Sequence, residues 1–426
     1  MMHTFASMFK NKDIRKRIFF TLALLLIYRV GAAIPVPGVD STALAGSIAD
    51  NSILSMMNLL GGGAFERMSI FALGVTPYIT ASIIIQLLSM DVIPALTEMT
   101  KEGQKGRMRL DQITRYLAVV LAFVQSFSMV YGFDRQFGIL EASNTATYLF
   151  TATILTAGTQ FLVWLGDQIS LKGIGNGISI IIFGGIVANI PAQFVQVYNI
   201  TVASATTGAE FSGILQFVLY LILYVVIILG VVVMELAVRK IPIQYSSSNS
   251  MRGKDVTYLP LKINSASVIP VIFASSIMTA PQIILSFVNS DAYTKVSSFL
   301  SLTSWTGLVI YAVLTFLFTF FYTDLQVDPD KIAENLGKSG AYIPGIRPGT
   351  ETKTYLHKVL HRITVIGATA LTVIAVLPYV LPMVSSLPSS ISIGGTGIII
   401  VVGVALETVA QLKGQLTQKS YHGFLD

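Results

Sequence analysis

Cysteine is absent from the 426 residues, which excludes disulfide frameworks, thiolate metal sites and cysteine nucleophiles together. Charge is scarce as well: Asp, Glu, Lys and Arg make up 12% of the chain, against roughly 25% in an ordinary soluble domain. Hydrophobic residues reach 53% and the mean hydropathy is +0.71, so too little polar surface exists to cover one or two water-soluble cores. Catalytic signatures are missing too. There is no Gly-x-Ser-x-Gly elbow, no Walker loop and no acid pair inside the apolar runs, so nothing argues for an enzyme. Mid-run ionisable residues are almost absent, since Asp167, Glu235 and Asp324 fall at run ends. A secondary transporter with a 5+5 inverted repeat would need a coupling carboxylate in mid-span, which disfavours that class.

What the chain does contain is apolar runs. At about 20 apolar residues per spanning helix, half of the sequence would supply roughly ten spans and leave no room for a large soluble domain. The candidates are residues 18–30, 74–90, 113–131, 148–165, 178–195, 214–233, 266–287, 307–321, 363–380 and 397–410. The first, preceded by Lys10, Lys12, Arg15, Lys16 and Arg17, also has the outline of a signal peptide, but with so many runs behind it, it can remain as an anchor. The expected fold is an all-α polytopic membrane protein of about ten helices. Charge sets its orientation. Taking alternate connections, 24 of the 28 Lys and Arg residues fall on one side, leaving Arg29, Arg67, Arg135 and Lys295 on the other. By the positive-inside rule both termini are cytoplasmic.

Two cytoplasmic connections are long, residues 237–262 and 325–362. Their basic, Pro/Gly-bearing composition fits either a docking role or simple anchoring of span ends at an anionic leaflet. Between residues 35 and 74 the chain is irregular, with Gly61-Gly62-Gly63 followed by a short segment, 64–73, that is too short to span. The next span starts on the poor helix former Gly74-Val75-Thr76-Pro77, so the two read as one broken element. Irregular backbone at membrane depth is tolerated only where it is buried in protein or lines a cavity. It points to a pathway.

Other motifs have bland readings. The run Gly173-Ile174-Gly175-Asn176-Gly177 resembles part of a dinucleotide fingerprint, but no strand precedes it and a spanning helix follows. His357 and His361 are four apart yet lack the glutamate of a zinc protease. Isoleucine triplets at 83–85, 180–182 and 398–400 are explained for the most part by lipid-facing packing. Pro270 and Pro281 interrupt the seventh run, as a structural kink or as part of a moving gate.

The stretches GVTPYITASIIIQLL (74–88), WLGDQISLKGIGNGISIIIF (164–183), LPLKIN (259–264), VIPVIFASS (268–276) and SGAYIPGIRPG (339–349), with IPVPG at 34–38, together resemble the SecY family. These are the channel subunits of the bacterial protein translocase. The resemblance covers essentially the whole chain. It implies two pseudo-symmetric inverted halves of five spans around a central pore, residues 1–195 and 196–426. It also implies a plug at about 61–73 carrying Gly61, Gly62, Gly63, Ala64, Phe65, Glu66, Arg67 and Met68. Glycine suits the hinge of a moving stopper because it tolerates large dihedral changes. By motif match the pore ring falls on Val75, Ile79, Ile178, Ile182, Ile272 and Ile400, with Val75 a departure from the usual isoleucine. A polar cluster at the lateral gate falls on Thr80, Gln125 and Asn264. The long loops would receive the ribosome or the motor ATPase SecA through Arg347, Arg252 and Lys254. The tip of the first of these loops departs from the basic pattern of relatives, reading Ser-Ser-Ser-Asn-Ser at 246–250. The resemblance further implies SecE and SecG as partners in a heterotrimer, signal peptides and unfolded preproteins as cargo, and a place in the bacterial cytoplasmic membrane. Neither a cofactor, a metal nor DNA is expected.

Overall fold

Each of the ten apolar runs carries a helix in the computed structural model, which describes residues 11–40, 62–89, 92–140, 142–203, 210–245, 257–285, 296, 298–302, 304–384 and 393–422. The helices are α1 (Lys12–Ala32), α2 (Thr76–Leu88), α3 (Pro94–Lys101), α4 (Gln104–Phe137), α5 (Thr145–Lys172), α6 (Gly177–Tyr198), α7 (Glu210–Leu236), α8 (Ile269–Leu285), α9 (Trp305–Gln326), α10 (Pro329–Lys338), α11 (Thr350–Val384) and α12 (Ile393–His422). Among the described residues, seven helices are long and apolar enough to cross a membrane: α4, α5, α6, α7, α9, α11 and α12. Helices α2 and α8 are apolar but shorter. Thirteen residues of α2 rise only about 20 Å, less than the roughly 30 Å of a bilayer's hydrocarbon. Pro77 opens that helix and no side chain caps it, so it begins late, inside the protein, as the broken-element reading expects.

Several helices outrun their apolar stretches. α4 has 34 residues and α11 has 35, each about 50 Å long at 1.5 Å per residue. Hydropathy registers membrane thickness. The polar turns that continue the same helix beyond it, Gln104–Thr114 in α4 and Thr350–Arg362 in α11, carry no apolar signal. The outward faces confirm the solvent. On α7, Leu215, Ile222, Val226 and Leu229 are each more than half exposed, a continuous apolar surface that water would not tolerate.

The expectation of an all-α chain needs one correction, because the two long loops form a three-stranded antiparallel sheet. Strand β1 (Val238–Tyr245) lies between β2 (Thr257–Lys262) and β3 (Ala341–Tyr342). β1 pairs with β2 from Val238↔Lys262 to Ile243↔Thr257, and with β3 at Gln244↔Tyr342 and Tyr245↔Ala341. Ile241 and Ile243 alternate inward along β1 and meet Leu261, Ala333, Leu336, Ile343, Leu356 and Leu360 in a separate apolar core. The Tyr342 hydroxyl donates to Gln244 Oε1 at 3.1 Å. Within this core, α10 starts at Asp328, whose carboxylate accepts from the amides of Asp330 and Lys331. Two loops that sequence treats separately thus make one small body on α11. The β1–β2 pairing lies within the first loop, but the β1–β3 pairing that joins the two loops spans about a hundred residues of chain, which no local pattern reveals.

Candidate functional site

The turn between α5 and α6 positions the first part of the site. The Asn176 side chain accepts from the amides of Ile178 and Ser179 and so caps α6. Gly175 sits at φ +71°, where side chains other than glycine are disfavoured. A Cβ on Gly177 would lie 1.8 Å from the Gly166 carbonyl oxygen, so only glycine lets α5 and α6 approach this closely. The GIGNG motif is therefore a tight helix-to-helix turn, and the Ile174 amide donates to Thr21 of α1 at 3.1 Å. It fixes where Ile178 and, one turn on, Ile182 project.

Those isoleucines join residues from three other segments. Val75 before α2, Ile182 of α6, Ile272 of α8 and Ile400 of α12 all lie in one buried apolar cluster, and Ile79 and Ile178 pack against it half-buried. All six expected ring positions thus belong to or border the same large apolar cluster, which they share with residues of many other helices. Their side chains carry no hydrogen-bonding atom, so the place where they meet offers nothing to a hydrated ion.

Residues 62–73 are stacked against this cluster as a chain of tight turns. Phe65 and Met68 are fully buried with Val36, Met129, Val130, Ile139 and Leu155, and the ring of Phe65 meets Phe133 edge-on at 5.6 Å. Backbone bonds tie the segment to the exit of α1: the Val36 amide donates to the Met68 carbonyl at 2.9 Å, and the Ile70 amide to the Ile34 carbonyl at 3.1 Å. Met68 holds φ +42°, an uncommon conformation for so large a side chain. Glu66 and Arg67 face outward, whereas Ala64 joins the central cluster. Gly62 and Gly63 at one end have φ +67° and +79°, and Gly74 at the other has +57°. Gly61 lies outside the described residues.

The expected polar cluster is not hydrogen-bonded together. The Thr80 hydroxyl donates to the Thr76 carbonyl one turn back, and Gln125 is half-buried on α4. Asn264 is buried, but its amide donates to Glu235 Oε1 of α7 at 2.9 Å and to the Ser267 carbonyl at 3.1 Å. What joins α2 to α8 and α9 is a different group. Ile79, Ile83 and Leu87 pack against Ala266, Ile269, Phe273, Phe318 and Tyr322. At its edge the Tyr322 hydroxyl donates to Gln86 Oε1 at 3.3 Å. Gln86 and Tyr322 carry no sequence signal beyond being polar atoms near span ends.

Of the expected docking residues, Arg347 is exposed at the turn between β3 and α11. Gly345 and Gly349 at φ +81° and +105° bracket it, and its carbonyl accepts from the Thr352 hydroxyl at 2.9 Å. Arg252 and Lys254 lie outside the described residues. The two histidines diverge, with His357 3.8 Å from Asp330 and the His361 ring against Phe320.

A family model described as SecY matches residues 69–409. The protein translocase subunit SecY of Staphylococcus carnosus is 44% identical, with the alignment covering 100% of this chain and 99% of the relative. That of Staphylococcus aureus is 45% identical over the same shares. A solved protein conducting channel superposes with a TM-score of 0.63 at 18% identity, covering 93% of this chain and 91% of the other. A SecY structure concerned with a plug domain that stabilises the closed channel gives 0.64 over the same shares, also at 18% identity. A channel from the canine ribosome-channel complex of the endoplasmic reticulum gives 0.58.

Proposed function

This chain belongs to the SecY family, and from that premise we propose how its parts work as the protein-conducting channel of the Sec translocase. The channel passes unfolded secretory proteins across the membrane and releases hydrophobic segments sideways into the bilayer. It belongs to a family of channels and not of enzymes, and the energy for transport is supplied from outside the chain. The observation that supports the mechanism is that Val75, Ile79, Ile178, Ile182, Ile272 and Ile400, from four separate segments, all belong to or pack against one apolar cluster. Branched side chains that are not bonded to one another can part around any peptide and close again, so the ring seals without selecting a sequence.

In this reading all ten helices over the apolar runs span the membrane, in halves 1–195 and 196–426 that open like a hinge around the ring. Residues 62–73 are the plug. The seam of α2 against α8 and α9 is the lateral exit, where a segment of about 20 apolar residues gains free energy by leaving for lipid. The Tyr322–Gln86 bond closes the seam at one edge, and the Asn264–Glu235 pair anchors the start of α8. Thr80 and Gln125 then line the gate individually. The sheet built from the two long loops, with Arg347 exposed at its rim, is the platform for the ribosome or SecA, and SecE and SecG complete the heterotrimer. The membrane is the bacterial cytoplasmic one, with both termini in the cytoplasm.

Two experiments test this. Vesicles holding the chain with SecE, SecG and SecA take up a preprotein when ATP is added, and Arg347→Glu abolishes most of that uptake. Reversing an exposed loop charge changes an encounter with an acidic partner far more than it changes the fold. Normal uptake by the variant removes the docking assignment, and no uptake by the parent chain removes the transport reading. For topology, the cysteine-free background allows Lys353→Cys to be labelled by an impermeant maleimide. Labelling occurs only from the cytoplasmic side, and labelling from outside would invert the whole arrangement.

A further inference from the structure

We propose that Arg29 is the latch of the resting plug, a positioning residue that holds the stopper at its hinge. Sequence alone accounts for an arginine near the end of α1 by its long stem reaching the interface. In the structure its Nη1 instead donates to the carbonyl oxygen of Gly62 at 2.6 Å, a short, charge-assisted bond to the first described residue of the plug. Gly62 is pinned from the other side too. A Cβ on it would lie 2.5 Å from the Tyr28 hydroxyl and 2.7 Å from Gly185 Cα. The hinge therefore occupies a notch between α1 and α6 that only glycine fits, at a backbone angle that glycine favours.

The remainder of the segment sits on similar shelves. A Cβ on Gly31 of α1 would fall 2.0 Å from the Phe71 ring, and one on Gly158 of α5 would fall 1.9 Å from the Ile70 carbonyl oxygen. These contacts are steric, spread over many atoms, and yield gradually, while the two backbone bonds from Val36 to Met68 and from Ile70 to Ile34 hold the middle of the segment and not its hinge. The Arg29 bond is directional. Because its acceptor is a backbone carbonyl, the bond reports the position of the hinge itself, and it is lost once Gly62 moves beyond the reach of the Arg29 side chain, which is anchored on α1. A cation placed there makes the seated state discrete, and losing it shifts the balance between seated and unseated plug about tenfold or more.

This rests on residues 62–73 being the plug, so the experiment separates the two ideas. The full chain in its translocase complex is recorded in planar bilayers as the parent, Arg29→Ala, Arg29→Lys and a deletion of residues 64–68, with thermal stability measured alongside. Arg29→Ala raises resting conductance about tenfold at unchanged melting temperature, and Arg29→Lys, which keeps a charged donor, restores much of the seal. If the deletion leaks and Arg29→Ala stays silent, the latch is overturned and the plug reading survives. If both stay silent, both fall. Should Arg29→Ala fail to fold, Gly185→Ala decides, since its added methyl presses on Gly62 Cα at 3.1 Å and on the Tyr28 hydroxyl at 2.8 Å with Arg29 intact. A folded, leaking Gly185→Ala supports the seated hinge, and a folded, sealed one overturns it.

Discussion

Replacing Ile79, Ile182 and Ile272 together by asparagine turns the resting channel into an ion leak. The three positions come from α2, α6 and α8, so if they form the proposed ring the substitution wets it from three helices. In the parent, an ion entering the constriction must shed water against side chains that return no hydrogen bond, at a cost of several kcal/mol. Three amides supply donors and acceptors that hold water in the gap, and the barrier drops accordingly. Because several kcal/mol separates conductances by orders of magnitude, this is the largest effect expected of any change to the side chains. Stability falls as well, since Ile182 and Ile272 are 5% and 9% exposed and their apolar contacts are lost. The competing explanation is that these isoleucines only pack helices together, in which case the variant melts early and conducts no better than the parent. Single-channel recording beside a thermal melt distinguishes them, and a folded, silent triple variant would falsify the ring.

Cross-linking the seam stops export. The chain has no cysteine, so the double variant Gln86→Cys, Tyr322→Cys presents one reactive pair, at two side chains already 3.3 Å apart through their polar atoms. Before cross-linking the double variant remains active, because it loses one hydrogen bond at an edge whose closure depends mainly on Ile79, Ile83, Leu87, Phe273 and Phe318. A short bis-maleimide then ties α2 to α9. A hydrophobic segment cannot pass between them, so insertion into lipid and signal-peptide-dependent uptake are both lost, while a long flexible linker at the same sites restores them. Unimpaired membrane insertion by the short-linked protein would place the exit elsewhere.

The sequence by itself determined the membrane setting and where along the chain the helices of the ten apolar runs lie, and its charge split alone carries the proposed side of the basic loops. These depend on local quantities, since each apolar run must match the same bilayer thickness and each loop's charge acts where it sits. Motif resemblance also singled out six branched aliphatic residues, all of which belong to or pack against the large apolar cluster of the helical body. It could not place their neighbours. Asn264 was grouped with Thr80 and Gln125, but a single amide satisfies whichever acceptor folding brings nearest, and that is Glu235, 29 residues earlier. The β1–β2 hairpin stayed hidden because Pro242 and Pro260 interrupt the composition expected of strands, and the link to β3 because it pairs across nearly a hundred residues. Arg29 read as a residue reaching for the interface because its acceptor is a carbonyl 33 residues away, and every residue carries a carbonyl. The glycines at 31, 158 and 185 were indistinguishable from the other glycines of the spans. Only tertiary structure decided which of them face another backbone at contact distance, because closeness between distant segments is set by how whole helices pack.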